Sequence, residues 1–80
     1  MADAVEDLPV YKQIRRCIAE RIERGDYPTG SMIPSENELA EEFGTTRLTI
    51  RSAMDELVKS GQIRRVQGKG AFVGHKWFDE

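Results

Sequence analysis

Arg47 and Arg51 lie four positions apart in residues 45–57, T-T-R-L-T-I-R-S-A-M-D-E-L. On a helix that spacing sets two guanidinium groups along one edge. Each offers a planar pair of N–H donors that matches a phosphate or the O6/N7 edge of guanine. Arg64, Arg65 and Lys69 follow around Q-G-K-G at 67–70. The chemistry open to this set is recognition by charge and hydrogen bonds, without bond-making. His75 is the single histidine, and no glycine-rich loop leads into a helix. Gly68, Lys69 and Gly70 fall between predicted strands, so they do not read as a nucleotide site. No catalytic residue, metal ligand or cofactor is therefore expected. An arginine pair at this spacing is also met on any solvated helix face, so the elements around it decide the reading.

Those elements can be read from periodicity and caps. Ile50, Ala53, Met54 and Leu57 recur at i, i+3, i+4 and i+7, which predicts an amphipathic helix whose other side carries Leu48, Ser52, Asp55 and Lys59. Thr45 or Thr46 supplies its N-cap oxygen, and Gly61 closes it. Upstream, Ser35 and Glu38 form a capping box, with Glu36 in the first turn favoured by the helix dipole. Leu39, Ala40 and Phe43 face inward and Gly44 ends this short helix, leaving only a tight turn before the next. A bracing helix, a tight turn and a second helix make a helix-turn-helix. Residues 8–25 predict a further helix, with Pro9 in its first turn, Tyr11, Ile14, Ile18 and Ile22 as its apolar stripe and Gly25 as its left-handed end. Residues 62–66 and 71–74 predict strands around a four-residue basic turn, and 26–34 a loop with a short strand at 31–33. That third segment is the partner a lone hairpin needs in water. The fold class is mainly α with a small β-hairpin wing: a winged helix-turn-helix of three helices and two or three short antiparallel strands.

Eighty residues, 39% hydrophobic and 32% charged, make one small globular domain. No apolar run approaches the roughly 18 residues of a membrane span, so no membrane partner is expected. The acidic residues 1–7 read as disordered and lack the features of a signal peptide, which places the chain in the cytoplasm. Cys17, the single cysteine, lies one position off the apolar stripe and reads as buried filler. A net charge of −2 is unusual for a protein that binds nucleic acid. The charge is polarised, however: residues 1–46 carry five basic and ten acidic side chains, and residues 47–70 carry six basic and two acidic. A positive segment on a negative body attracts phosphate locally and limits indiscriminate binding.

The motifs L-P-V-Y-K-Q-I at 8–14, P-S-E-N-E-L-A-E-E-F-G at 34–44, T-R-L-T-I-R-S-A at 46–53 and V-Q-G-K-G-A-F-V at 66–73 occur in order. Together they resemble the N-terminal DNA-binding domain of GntR-family bacterial transcription regulators, with the Tyr-x-Gln-Ile opening most similar to the HutC and YtrA branches. The resemblance implies sequence-specific binding of double-stranded DNA, with the helix of Arg47 and Arg51 in the major groove and those two arginines on base edges. It implies that Thr46 and Thr49 hold phosphates and that Leu48 presses on a thymine methyl. Gln67, Gly68 and Lys69 would form the wing tip along the minor groove, with Arg65 beside them. Asn37 stands where many relatives place arginine, and Thr45 where valine is usual. The resemblance also implies an inverted-repeat operator, a homodimer in the full-length protein, residues 75–80 (with His75, Trp77 and Phe78) as the start of a linker, and a small-molecule effector bound by a C-terminal domain outside this chain. The alternative on the same fold is a winged-helix protein-interaction module.

Overall fold

The structure is a computed structural model and describes residues 9–74. Three helices, α1 (Val10–Arg24), α2 (Glu36–Phe43) and α3 (Arg47–Ser60), precede two strands, β1 (Ile63–Val66) and β2 (Gly70–Val73). This is the winged helix-turn-helix expected. Residues 1–8 and 75–80, including His75, Trp77 and Phe78, lie outside the described residues.

Helix α1 starts one residue later than expected. Pro9 has ψ 152°, outside the helical region, and serves as the N-cap. Its carbonyl accepts from the Lys12 and Gln13 N–H groups at 2.9 and 3.1 Å. Ring-fixed φ suits that position as well as the first turn. In α2 the capping box is complete: Glu38 N–H donates to Ser35 Oγ at 3.1 Å and Ser35 N–H to Glu38 Oε1 at 3.0 Å. Gly44, with φ 65°, ends α2 in the left-handed region. Thr46, not Thr45, caps α3, accepting from Thr49 N–H at 3.3 Å. Two caps two residues apart thus fix the turn between bracing and second helix.

The wing is a two-stranded antiparallel hairpin with Ile63 opposite Val73 and Val66 opposite Gly70. Gly70 is therefore a strand residue, and the expected four-residue turn shortens to Gln67, Gly68 and Lys69. Lys69 N–H closes it on Val66 carbonyl at 3.0 Å, with Gly68 at φ 81°. A glycine is needed at the third position of such a turn. Gly70, with φ 132°, adopts a backbone conformation that side chains rarely take, and a Cβ there would also press on Met32 Sδ at 3.3 Å. The third segment docks on β2 as expected, narrowed to a single bridge, Met32 to Phe72. Around it Ile33 N–H donates to Ala71 carbonyl and Val73 N–H to Ser31 carbonyl, both at 2.9 Å.

The core draws on every element: Ile14 and Ile18 from α1, Leu39 and Ala40 from α2, Ile50, Ala53, Met54 and Leu57 from α3, then Ile33, Ile63 and Val73. Each of the larger side chains contributes about 1.5–3 kcal/mol by leaving water. Tyr11 and Ile22 complete the stripe of α1 half-buried, and Cys17 beside it is also half-buried. Arg15 reaches Glu56 at 3.2 Å and fastens α1 to α3. Arg21 fastens α1 to α2: it pairs with Glu42, donates to Tyr27 Oη at 2.7 Å and sits 5.1 Å from the Phe43 ring centroid. The hydrogen bond to Glu42 outweighs desolvation and raises the Arg21 guanidinium above the ordinary arginine value.

Candidate nucleic-acid interface

Burial of Ile50, Ala53, Met54 and Leu57 turns the opposite side of α3 to solvent. On that side Arg47 and Arg51 are exposed, as predicted from spacing alone. They line an open groove whose other walls are the loop before α2, with Tyr27 and Met32, the first turn of α2, with Asn37, and the wing, with Arg65, Gln67, Gly68 and Lys69. Seven of the ten residues singled out in the sequence thus share one groove. The remaining three lie over the shoulder of α3. Leu48 is 74% exposed and, with Thr49, borders a shallow depression shared with Val10 and Tyr11. Thr46 and Thr49 hydroxyls lie 3.1 Å apart, so the capping oxygen and its neighbour form one polar point at the tip of the helix.

The groove is not uniformly positive. Glu36 Oε2 lies 3.5 Å from Arg51 Nε and 3.9 Å from Arg65 Nη2, and the other arm of Arg65 pairs with Asp55 Oδ1. Arg47 and Lys69 have no ion pair among the described residues. The expected cluster of Arg64, Arg65 and Lys69 also divides. Neighbouring residues of a strand face opposite ways, and Arg64 lies over the Phe72 ring at 5.5 Å on the far face. Period two in the sequence carried that signal. The roles of Glu36 and Asp55 carried none, because Glu36 meets Arg51 across fifteen residues of chain.

Such an arrangement can hold a polyanion by charge at Arg47 and Lys69 and can read an edge with planar donors. Among the described residues no group of His, Cys, Asp and Glu could hold a metal ion, and no helix is long and apolar enough to cross a membrane.

Three helices, a capped turn and a docked hairpin define a winged helix-turn-helix protein. The sequence profile "Bacterial regulatory proteins, gntR family" matches residues 10–73, and the chain belongs to that family. The transcriptional repressor NagR of Bacillus subtilis is 39% identical over 66 residues, 82% of this chain and 27% of its own. The histidine utilization repressor of Pseudomonas putida is 40% identical over 65 residues, 81% of this chain and 26% of that protein. The chain thus spans about a quarter of the length of these curated relatives. Among solved structures, the AraR DNA-binding domain in complex with operator ORR3 superposes with a TM-score of 0.81 at 43% identity, over 84% of this chain and 81% of that one. YtrA from Sulfolobus acidocaldarius, a GntR-family transcription factor, gives 0.78 at 36% identity, over 91% and 78%.

Proposed function

We propose that this chain is a sequence-specific double-stranded DNA-binding domain of a bacterial transcription regulator and that it works in the cytoplasm. The observation that carries the reading is the juxtaposition of Arg47 and Arg51 on the free edge of α3 with the Lys69 wing tip across one groove. Likeness to an AraR domain crystallised on its operator supports it. Helix α3 enters the major groove, Arg47 and Arg51 bond guanine edges, and Leu48 packs on a thymine methyl. Thr46 and Thr49 take phosphate oxygens at the helix tip, and Asn37 takes one without adding charge. Gln67, Gly68 and Lys69 follow the minor groove or its phosphates. Arg65, already paired on both arms, braces the wing beside the DNA. Binding is the whole activity proposed; no reaction is assigned.

Leu48 and Val10, 74% and 56% exposed, are the observation that favours the protein-interaction alternative. Two side chains are small against the roughly 800 Å² each partner gives to a stable interface, and although Met32 is exposed in the groove as well, that groove also carries Arg47, Arg51, Arg65 and Lys69.

Two copies on an inverted repeat are proposed, with dimerisation and effector binding in a part of the protein outside this chain. Selection of the chain against random duplexes, sequenced at two salt concentrations, tests the reading. The expected result is an enriched motif whose binding falls steeply with salt. Binding without any enriched motif would contradict sequence-specific readout.

A further inference from the structure

We propose that Glu36 is a positioning residue for base readout: it holds Arg51 by Nε so that the terminal nitrogens of that guanidinium are presented to a guanine edge, and it couples this grip to the wing through Arg65. The inference rests on the DNA-binding reading above.

A carboxylate inside a groove meant for a polyanion weakens attraction to every nearby phosphate. Its placement therefore calls for a compensating role. One oxygen, Oε2, lies 3.5 Å from Arg51 Nε and 3.9 Å from Arg65 Nη2. Arg65 in turn reaches Asp55, one turn further along α3 from Arg51. Arg51, Glu36, Arg65 and Asp55 thus form a neutral circuit joining α2, α3 and β1. Its anchor is firm, because Glu36 is the first residue of α2, directly after the doubly bonded cap of Ser35. Contact at Nε leaves both Nη groups, each with two donors, for O6 and N7. An arginine so held meets the base already oriented, with less side-chain freedom to lose on binding. Arg47, without such a partner among the described residues, has no equivalent restraint.

Loss of the Glu36 charge therefore acts in two opposed directions. In Glu36→Gln the affinity for random duplex should rise about 3- to 10-fold, since one repulsive charge is gone. The preference for guanine at the Arg51 position should fall about tenfold. Glu36→Asp keeps the charge at the helix start but withdraws it by one methylene; it should lose the guanine preference without gaining affinity for random DNA. A purely structural residue would lower both quantities together. The experiment compares the chain and these two variants, alone and with Arg51→Lys, on the selected duplex, on its single base-pair substitutions and on random duplex. In the Arg51→Lys background, Glu36→Gln should cause no further loss of guanine preference. Unchanged guanine preference in Glu36→Gln would overturn the inference, as would an equal loss in both backgrounds. A loss confined to cytosine at another position would also overturn it, making Glu36 a direct reader of the cytosine amino group. If the unaltered chain shows no sequence preference, the DNA-binding reading itself falls; if it does and Glu36→Gln matches it, only the role of Glu36 falls.

Discussion

Arg47 and Lys69 both line the groove without an ion pair among the described residues, and the proposed reading gives them different work. Arg47 projects from a helix fixed by four buried side chains, so its fork has a defined origin and can discriminate. Lys69 sits at the tip of a three-residue turn and acts as a point charge. Arg47→Ala should remove about 1–3 kcal/mol of discrimination at one base pair while the helical circular dichroism stays unchanged. Lys69→Ala should weaken binding to all sequences alike and reduce the salt slope by about 0.9. Binding isotherms on substituted duplexes over a salt series separate the two, and a Lys69→Ala effect confined to one base pair would contradict its assignment. Helical period alone made Arg47 and Arg51 legible in the sequence, because which face of α3 is apolar decides which face is free. Arg64 was misplaced with Arg65 for want of the same argument at period two. Glu36 was legible only as a dipole residue. Its partners are set by how α2 crosses α3 and by how the wing folds back, and neither is a local property.

Local chemistry governs the elements, which explains why their limits were largely readable. Caps at Ser35, Thr46, Gly25, Gly44 and Gly61 are decided within a few residues, and each is where the sequence put it or one of two positions it allowed. The Ser35 cap has a consequence for the site, since α2 carries Glu36 and Asn37 into the groove. Ser35→Ala should destabilise the fold by about 1 kcal/mol, seen as a lower denaturant midpoint with an unchanged slope. A midpoint equal to that of the unaltered chain would show that Glu38 and water satisfy the helix start without the hydroxyl. Where the element reading failed, two equally local solutions competed. Pro9 fits an N-cap as well as a first turn. Gly70 fits a turn as well as a strand, and its pairing with Val66 across the hairpin makes it the first residue of β2.

For the molecule as a whole, charge and length set the behaviour. On the proposed reading, an acidic body behind a basic edge should keep indiscriminate affinity modest, and discrimination should rest on a few contacts and on the number of copies engaged. Two chains joined by a flexible linker should bind an inverted repeat about 100-fold tighter than a lone chain, or more, and gain little on a single half-site. Equal gains on both targets would argue against paired half-sites. The docking of residues 30–33 on β2 bears on a different hazard. A two-stranded wing has two open edges, and open edges recruit strands from neighbouring molecules. Here the β2 edge is already occupied, with Gly30 N–H on Val73 carbonyl at 2.9 Å among its bonds. The remaining edge is β1, whose middle residues are Arg64 and Arg65. A second copy aligning there would set two guanidinium groups together on each face of the seam. The wing is thereby guarded against templating its own aggregation, by a loop on one side and by mutual repulsion on the other.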